Sequence, residues 1–465
     1  MRRLLGFLIL AAACNGETGV LSLTLAEPAG SSLLQTDINK LRVTLTSPRQ
    51  TVEADRTGSG FAIQFDVDAT GADSQVIVQG FDGNSQLIAV GETPLLPISA
   101  INANLTIFVA PPLSIGGAPD SLVDPRRDLT AAATTSGAIF IGGISSSGFA
   151  SASVESYNAF SHQEGLIGEL PAVRTAPAVA VDQSGFVYVF AGSDGSGAPT
   201  SNLFRVEPSA GSAIITDITP DDASSFVRGA AIAMPLDSVD TFAISGTPAA
   251  LLDVDAPSLT AVTTANVTNA DGPAGAVVGS DDEVTAIFVG DSDPGSGLVR
   301  FHGSDVDLPA ADPSVKRHGH AVTGAPNGDI LVVGGIVDGS AGVPTADAIV
   351  IDAATGTSSI KPNLLATPRI GAAMTATSRY LIVAGGQSDD VACTTQSPCT
   401  LVGDAEVFDS TTLAPVTTIP LVVPRVNASA VPLPDDQVLI VGGTDANGAP
   451  IATIELFTPD LPADF

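Results

Sequence analysis

The chain of 465 residues has no tryptophan, only 5% aromatic residues and few bases. Its 18 lysines and arginines stand against 50 aspartates and glutamates, which gives a net charge of −32. Such a surface repels phosphate backbones and anionic lipid headgroups, so we expect no nucleic-acid partner. The acidic residues are spread along the chain, as on the solvated surface of an exported protein, and an acidic docking face is the alternative.

The sequence also lacks long helical patterns, since no stretch beyond the N-terminus has the periodicity of a long amphipathic helix. The apolar residues, 44% of the chain, form short β-branched runs between clusters of Gly, Pro, Asp and Ser. Together with 47 glycines and 33 prolines, this composition predicts an all-β protein rich in turns. The length allows two or more domains.

The N-terminal segment MRRLLGFLILAAAC has the pattern of a secretory signal, with two arginines, an apolar run and then small residues. The apolar run is too short to span a bilayer as a helix. A cysteine directly after the small residues, Cys14, resembles the bacterial lipobox, although Ala11 stands where leucine is usual. In that family the cysteine is lipidated and becomes the first residue of the mature chain.

The lipobox resemblance implies a protein anchored by lipid in the bacterial cell envelope, in the outer membrane or at the cell surface, with the membrane as a partner. Residues 1–19 are then the signal peptide and tether. The alternative is an ordinary cleaved signal with Cys14 as an incidental thiol. The other two cysteines lie in the segment CTTQSPC, as Cys393 and Cys399, with no further Cys or His nearby for a metal site. In an exported chain they predict a local disulfide.

An internal repeat decides the predicted fold. An apolar run ending in glycine recurs seven times, at Gly143, Gly192, Gly246, Gly290, Gly335, Gly386 and Gly443. The intervals of 44 to 57 residues have the size of a four-stranded propeller blade. In six units an arginine precedes the glycine by 16 to 18 residues: Arg127, Arg174, Arg228, Arg317, Arg369 and Arg425. An alternating segment, predicted as a third strand, follows most of the glycines.

This order of arginine strand, glycine strand, long loop and third strand resembles the kelch repeat. The likeness covers residues 113–465, without the kelch tryptophan, and implies a β-propeller of seven blades, with six or eight as alternatives. We expect the repeated residues to be structural, since a binding residue need not recur in every blade. They are the six arginines and the glycine pairs Gly142, Gly143, Gly334, Gly335, Gly385, Gly386, Gly442 and Gly443.

The last unit ends at its third strand, so an outer strand is missing there. The segment 111–116, just before the first unit, is predicted to supply it and to close the ring. Residues 20–112 lack the repeat and show six short alternating segments, at 21–27, 40–47, 60–68, 74–82, 85–92 and 103–111. They predict a small immunoglobulin-like β-sandwich that acts as a spacer between membrane and propeller.

No residues stand out as catalytic or as cofactor-binding. His318 and His320, two apart on a predicted strand, share a face but lack an evident third metal ligand, so we interpret them as part of the repeat. Acidic loops at 193–195, 291–293 and 388–390 are interpreted as solvated turns, because none has the spacing of a full calcium loop. The sequence predicts an envelope binding or scaffold protein that recognises protein or glycan through its propeller loops, especially the loop at 387–403. A carbohydrate-active enzyme with an axial site and a surface-layer structural protein are the alternatives.

Overall fold

The structure of this chain is a computed structural model. The residues it describes are 7–11, 20–58, 60, 61, 63, 73–97, 103–221, 223–227, 229–236, 241–246, 248–262, 266–268, 274–279, 284–289, 291–293, 297–302, 305–462 and 465. Cys14, Arg228 and Gly290, which the sequence singled out, lie outside them.

The chain is all-β and forms a β-propeller preceded by a smaller two-sheet domain. Between residues 114 and 458 the described part of the chain contains seven antiparallel four-stranded sheets. Given from the innermost strand outward, they are blade 1, Thr130–Thr134, Gly137–Ile141, Ser151–Asn158 and Gln163–Arg174; blade 2, Ala178–Val181, Val187–Phe190, Leu203–Ser209 and Ser212–Asp217; blade 3, Ala233–Pro235, Thr241–Ile244, Ala249–Asp253 and Ser258–Val262; blade 4, Ala274–Val278, Thr285–Val289, Leu298–His302 and Asp305–Asp307; blade 5, Ala321–Gly324, Asp329–Val333, Ala348–Asp352 and Ser358–Lys361; blade 6, Ala373–Ala376, Tyr380–Ala384, Asp404–Asp409 and Pro415–Pro420; blade 7, Ser429–Pro432, Val438–Val441, Thr453–Thr458 and Ser114–Ser121.

The innermost strands of successive blades are neighbours, and that of blade 7 adjoins that of blade 1, so the ring is closed. The apolar runs that end in glycine are the second strands of the blades, and their side chains are almost wholly buried. Because each blade is buried on both faces by its neighbours, its second strand reads as a continuous apolar run rather than as an alternating one. Val438–Val441 of blade 7 is fully buried in this way.

Both ends of the propeller chain form blade 7. Strand Ser114–Ser121 pairs antiparallel with Thr453–Thr458, in a register that sets Ile115 opposite Phe457. The outer strand of the last blade therefore comes from the segment before the first, as the sequence predicted, although it spans Ser114–Ser121 and not residues 111–116. This pairing closes the ring through backbone hydrogen bonds between residues more than 300 positions apart in the sequence.

The preceding domain is a sandwich of two sheets around one apolar core. The strands of the larger sheet lie in the order Arg49–Asp55, Lys40–Thr46, Val76–Phe81 and Leu87–Glu92, and those of the smaller sheet in the order Phe7–Ala11, Val20–Ala26 and Ala103–Phe108. Side chains of both sheets, among them Leu25, Val43 and Ile107, share the core. Strand Arg49–Asp55 was not predicted, because it is largely exposed and carries charged residues. The predicted segment 60–68 lies mostly outside the described residues.

Strand Phe7–Ala11 belongs to the predicted signal peptide and pairs antiparallel with Val20–Ala26. Val20–Ala26 also pairs in parallel with Ala103–Phe108, so this second pairing would remain after cleavage before Cys14. Further short elements are a one-turn π-helix at Leu33–Asp37, 3-10 turns at Ala223–Phe226 and Pro313–Val315, and two-stranded pairs of Asp73–Ser74 with Leu96–Pro97, Arg126–Arg127 with Ile144–Ser145, Asn266–Thr268 with Asp291–Asp293, and Arg317–His318 with Ile336–Val337. None of the described helices has the length and apolar character needed to cross a membrane.

Candidate binding face

One end of the propeller, here called the loop face, carries the loops between the second and third strands of the blades. In blades 1, 2, 5, 6 and 7 these loops are long and comprise residues 142–150, 191–202, 334–347, 385–403 and 442–452, respectively. The segments that lead from each outer strand to the next innermost strand lie at the same end, because the strands of a blade alternate in direction. The other end carries the short turns and is here called the turn face.

A buried arginine stands at the loop face in five blades, just before the innermost strand: Arg126, Arg174, Arg317, Arg369 and Arg425. Four of them donate a hydrogen bond to the carbonyl of the first glycine after the second strand. In blade 7, for example, Nη1 of Arg425 lies 3.2 Å from the oxygen of Gly442 and 3.0 Å from that of Thr453. The guanidinium thus joins the second and third strands where the loop between them begins.

In three blades the buried arginine also meets a glutamate of the third strand. Nη2 lies 2.7 Å from Oε1 in the pair Arg126–Glu155, and 2.5 Å in the pairs Arg369–Glu406 and Arg425–Glu455. Burying two opposite charges costs desolvation free energy, which is compensated only if each charged group also has further hydrogen-bonding partners. In blade 7 those partners are the amides of residues 422 and 423, which donate to the two oxygens of Glu455.

Blades 2 and 5 have no glutamate at this place. In blade 2, Nη2 of Arg174 donates to Oδ1 of Asn202 at 2.7 Å, and its guanidinium lies over the ring of Phe204. In blade 5, Nη1 of Arg317 donates to the carbonyl of Gly334 at 2.7 Å. Burial without a contacting carboxylate lowers the pKa of Arg317 to about 10.

The first unit departs from the sequence-based assignment. The spacing had selected Arg127, whereas the structure places Arg126 in the buried position and leaves Arg127 partly exposed. The reason is strand alternation: the two residues lie on a short strand, so adjacent side chains point to opposite sides. A pair of adjacent arginines cannot be resolved by spacing alone when the loop length varies between units.

Three of the glycine pairs fasten a blade to the next. The backbone of Gly385 has a φ of +64°, and a β-carbon there would lie 2.4 Å from the carbonyl oxygen of Arg425. The amide of Gly386 donates to that same oxygen at 2.8 Å. Equivalent bonds join Gly143 to Arg174 and Gly335 to Arg369. The repeated arginine and glycines therefore form one joint between blades, which is a structural role.

Two residues after each buried arginine the backbone is left-handed, at Asp128, Ala176, Gly319, Gly371 and Asn427. Three of these amides donate to the carbonyls of their counterparts in the preceding blade, at 2.8 Å for Ala176 to Asp128, Gly371 to Gly319 and Asn427 to Gly371. These bonds join blade 1 to blade 2, blade 5 to blade 6 and blade 6 to blade 7 at the loop face. They fix the base from which the loops rise.

The loop of blade 6 contains the predicted disulfide, which the structure confirms: the α-carbons of Cys393 and Cys399 lie 4.7 Å apart. The buried side chain of Gln387 donates to the carbonyls of residues 389 and 391, which holds the loop from inside. The amide of Cys399 donates to the carbonyl of Ala446 in the neighbouring loop of blade 7, at 3.1 Å. The two loops therefore form one continuous surface.

The acidic loops are shaped by their own carboxylates. Asp194 accepts hydrogen bonds from the amides of Ser196 and Ala198, and Asp445 accepts equivalent bonds from the amides of Asn447 and Ala449. The bond from the Ser196 hydroxyl, followed by those from the backbone, lowers the pKa of Asp194. The loop thus remains negatively charged and holds a fixed turn.

Of the twelve large apolar side chains that are exposed in the described part of the chain, six lie at the loop face. Phe149, in the loop of blade 1, is 74% exposed, and Val343 and Val391 are exposed in the loops of blades 5 and 6. Three more lie in the segments that lead to innermost strands: Val123, Val227 and Val422. Phe149 was not among the residues predicted to be functional, although an aromatic residue within a Ser- and Gly-rich loop is a signal in the sequence.

The two histidines singled out by the sequence have different surroundings. Nδ1 of His318 lies 3.1 Å from Oδ1 of Asp338, partly exposed at the loop face. His320 is buried, and burial lowers its pKa to about 3. Gly319 between them has a φ of +63°, so the regular alternation assumed for a strand is interrupted there. Within the described part of the chain no three His, Cys, Asp or Glu residues are grouped as a metal site would need.

Comparison with known proteins gives little beyond the fold. No protein-family model matches the chain, and no curated protein matches it either. Among solved structures, that of YjhT is similar to this chain, with a TM-score of 0.44 at 11% identity. The match covers 73% of this chain and 96% of YjhT. A likeness as distant as this carries no argument about function.

Proposed function

We propose that this protein is a lipid-anchored binding or scaffold protein of the bacterial cell envelope, and that its loop face binds an envelope protein. The observation that carries the proposal is the exposed Phe149, which stands with Val343 and Val391 on one end of a rigid ring. Exposed aromatic and aliphatic side chains among polar and charged loops are suited to contacts with a protein partner.

The rigidity of the ring supports this function. Partners that bind preformed loops lose less conformational entropy than partners that must order them. Here the loops start from backbone joints between blades, and the loop of blade 6 is further held by its disulfide and by Gln387. Loops on such a scaffold vary in sequence while the ring is kept.

The lipid anchor on Cys14 is the second part of the proposal and is supported by the lipobox resemblance alone. The sandwich then lies between the membrane and the propeller. Among the described residues no observation favours the alternative of a carbohydrate-active enzyme. Glycan remains the other class of ligand that the loops are suited to recognise, so the experiment includes it as a separate arm.

The test is quantitative capture of envelope proteins by the purified chain, with point variants of the loop face. We expect Phe149→Ser to weaken the capture of its partner about tenfold or more, the size of effect typical of a central aromatic contact. The matched control is Ile214→Ser, since Ile214 is 65% exposed but lies on the outer strand of blade 2, away from the loop face.

If both variants lose partner capture equally, or if neither variant loses it, the proposed use of the loop face is contradicted. The second arm applies a panel of envelope glycans to the same three proteins. If the chain binds a glycan and Phe149→Ser abolishes that binding, the ligand of the loop face is a glycan and not a protein. If glycan binding is unaffected by Phe149→Ser, the glycan site lies elsewhere.

A further inference from the structure

An unpaired acid is buried where the sandwich meets the propeller. Asp435 lies in the turn between the first two strands of blade 7 and is wholly buried. Its Oδ1 accepts a long bond of 3.4 Å from the amide of Gln437. Its Oδ2 lies 3.8 Å from Nε2 of His162, and neither of these two atoms has a hydrogen bond within the described structure.

The histidine is held in place from its other side. Nδ1 of His162 lies 2.9 Å from the hydroxyl of Tyr157, and both side chains are buried in blade 1. The ring of Phe108, from the last strand of the sandwich, lies 5.8 Å from the imidazole. Burial lowers the pKa of His162 to about 3, so the imidazole is neutral and provides no countercharge for Asp435.

The sandwich adds a second buried acid to this joint. Glu92 ends the strand Leu87–Glu92, is buried, and interacts electrostatically with Asp435 and Asp436. Within the described residues two backbone bonds cross from the sandwich to the propeller. The amide of Ala29 donates to the carbonyl of Gly117 at 3.2 Å, and the amide of Thr106 donates to the carbonyl of Phe160 at 2.7 Å. The joint therefore brings buried carboxyl groups of two domains together.

The remaining charged groups at the joint do not neutralise these acids. Arg379 of blade 6 is the cation that lowers the pKa of Glu92, but it is bound to Asp460 at 2.7 Å and to Asp436 at 3.5 Å. Tyr380 donates to the same Asp460. On the side of blade 1, the charge of Asp120 acts on Tyr157 and adds to the negative potential. One arginine thus stands among five carboxyl groups in the described structure.

We propose that the joint between sandwich and propeller is a proton-dependent latch, closed while the carboxyl groups of Asp435 and Glu92 are neutral and released when they ionise. Burial, the charge of Glu92 and that of Asp436 raise the pKa of Asp435 to about 8. Burial and the charge of Asp436 raise that of Glu92 to about 7. The latch concerns the position of the propeller relative to the sandwich and does not depend on what the loop face binds.

The sign follows from linkage. In the released state both carboxyls are solvated and have their ordinary pKa values, so they ionise at lower pH than in the closed state. The closed state is therefore fully favoured below about pH 4 and loses its advantage as the pH rises toward 8. For each proton released on opening, the opening constant rises up to about tenfold per pH unit in this window.

The test measures local opening by amide hydrogen exchange of the purified chain between pH 5 and 9, corrected for intrinsic exchange rates. The reporters are the amides of Ala29 and Thr106, which donate across the joint, and Leu439 inside blade 7 is the reference. We expect the opening constant of the two reporters to rise at least tenfold from pH 6 to pH 8, while that of Leu439 changes little.

Two variants and a control separate the latch from a general loss of stability. Asp435→Asn and Glu92→Gln each remove one of the two ionisable groups, so each variant should reduce the slope of the opening constant with pH. Glu169→Gln, an exposed acid of blade 1, should leave the wild-type slope unchanged. Should Asp435→Asn fail to fold, Glu92→Gln still decides the question. A wild-type profile that is flat, or a slope that both variants retain, would overturn the proposal.

Discussion

Nη2 of Arg126 lies 2.7 Å from Oε1 of Glu155, and both side chains are buried at the joint between blades 7 and 1. The same pair recurs as Arg425–Glu455, with one difference. Two backbone amides complete the shell of Glu455, whereas Glu155 has the acid Glu164 beside it. The buried pair of blade 1 therefore has a second acid beside it, in place of the two amide donors that the pair of blade 7 has.

Removing the charge of Glu455 should destabilise the propeller strongly. Glu455→Gln leaves Arg425 buried without its counterion, and breaking a buried pair in this way costs about 3–5 kcal/mol in the free energy of unfolding. The control is Glu207→Gln, which breaks the solvent-accessible pair with Arg205 and should cost about 1 kcal/mol or less. Denaturant midpoints measure both, and similar shifts would speak against the structural role of the buried pair.

A methyl group at the joint between blades should also be costly. Gly385→Ala forces a β-carbon to within 2.4 Å of the carbonyl of Arg425, in addition to the left-handed backbone. Gly339 has a similar φ of +75° but open space around it, so Gly339→Ala carries only the backbone cost of about 1–2 kcal/mol. We expect Gly385→Ala to lose at least about 2 kcal/mol more in denaturant unfolding. Equal losses would show that the close approach is unimportant.

The disulfide should matter more for the loop than for the ring. Replacing Cys393 and Cys399 together by serine removes a constraint on a short loop, worth about 2 kcal/mol in the chain-entropy account. We expect faster hydrogen exchange at the amide of position 399, which bonds Ala446, with little change at Leu439. Unchanged exchange at position 399 would mean that Gln387 alone holds the loop.

Stability should fall with rising pH through Glu164. Both its carboxylate oxygens are buried, and burial and the negative charges of Glu155 and Asp120 raise its pKa to about 9. Glu164 therefore stays protonated in the folded protein up to a higher pH than in the unfolded chain. Its contribution to the free energy of unfolding is largest below about pH 4.5 and is lost as the pH rises toward 9. Glu164→Gln should raise the unfolding temperature at pH 8.5 by about 2 °C or more and have no such effect at pH 4. With exposed Glu169→Gln as the control, a benefit at both pH values would refute this explanation.

The lipid anchor is tested by detergent phase partitioning of the chain made in bacterial cells. With acyl chains on Cys14 the wild type should enter the detergent phase, since each buried methylene contributes roughly 0.8 kcal/mol. Cys14→Ala should leave it in the aqueous phase. The double replacement of Cys393 and Cys399 by serine is the control and should partition as the wild type does. Detergent partitioning of Cys14→Ala would rule out that cysteine as the anchor.

How far the sequence reached is clearest at the arginines and glycines. Their spacing predicted the strand order within each blade and the origin of the closing strand Ser114–Ser121, because both depend on a repeat length and on what the last unit lacks. The disulfide could also be predicted, since Cys393 and Cys399 are separated by only a short loop. These features depend on local periodicity, which a single sequence displays.

What the sequence did not show depends on contacts between distant residues. Spacing could not tell Arg126 from Arg127, because the choice is made by strand direction at the joint. Spacing also did not predict that Asp435 lies close to His162 and Glu92. Asp435 is hundreds of positions away from both in the sequence, and the three residues belong to blade 7, blade 1 and the sandwich. Their pKa values follow from burial and from neighbours that only the closed ring assembles.

The sequence by itself therefore determined the all-β class, the repeating blade and the chemistry of its joints, since these arise from alternation, apolar runs and glycine at regular intervals. The tertiary structure alone decided which apolar residues remain exposed, Phe149 above all, and which acids become buried without a partner, as Asp435 does. The physical reason is that exposure and desolvation are properties of the assembled surface and not of the local sequence.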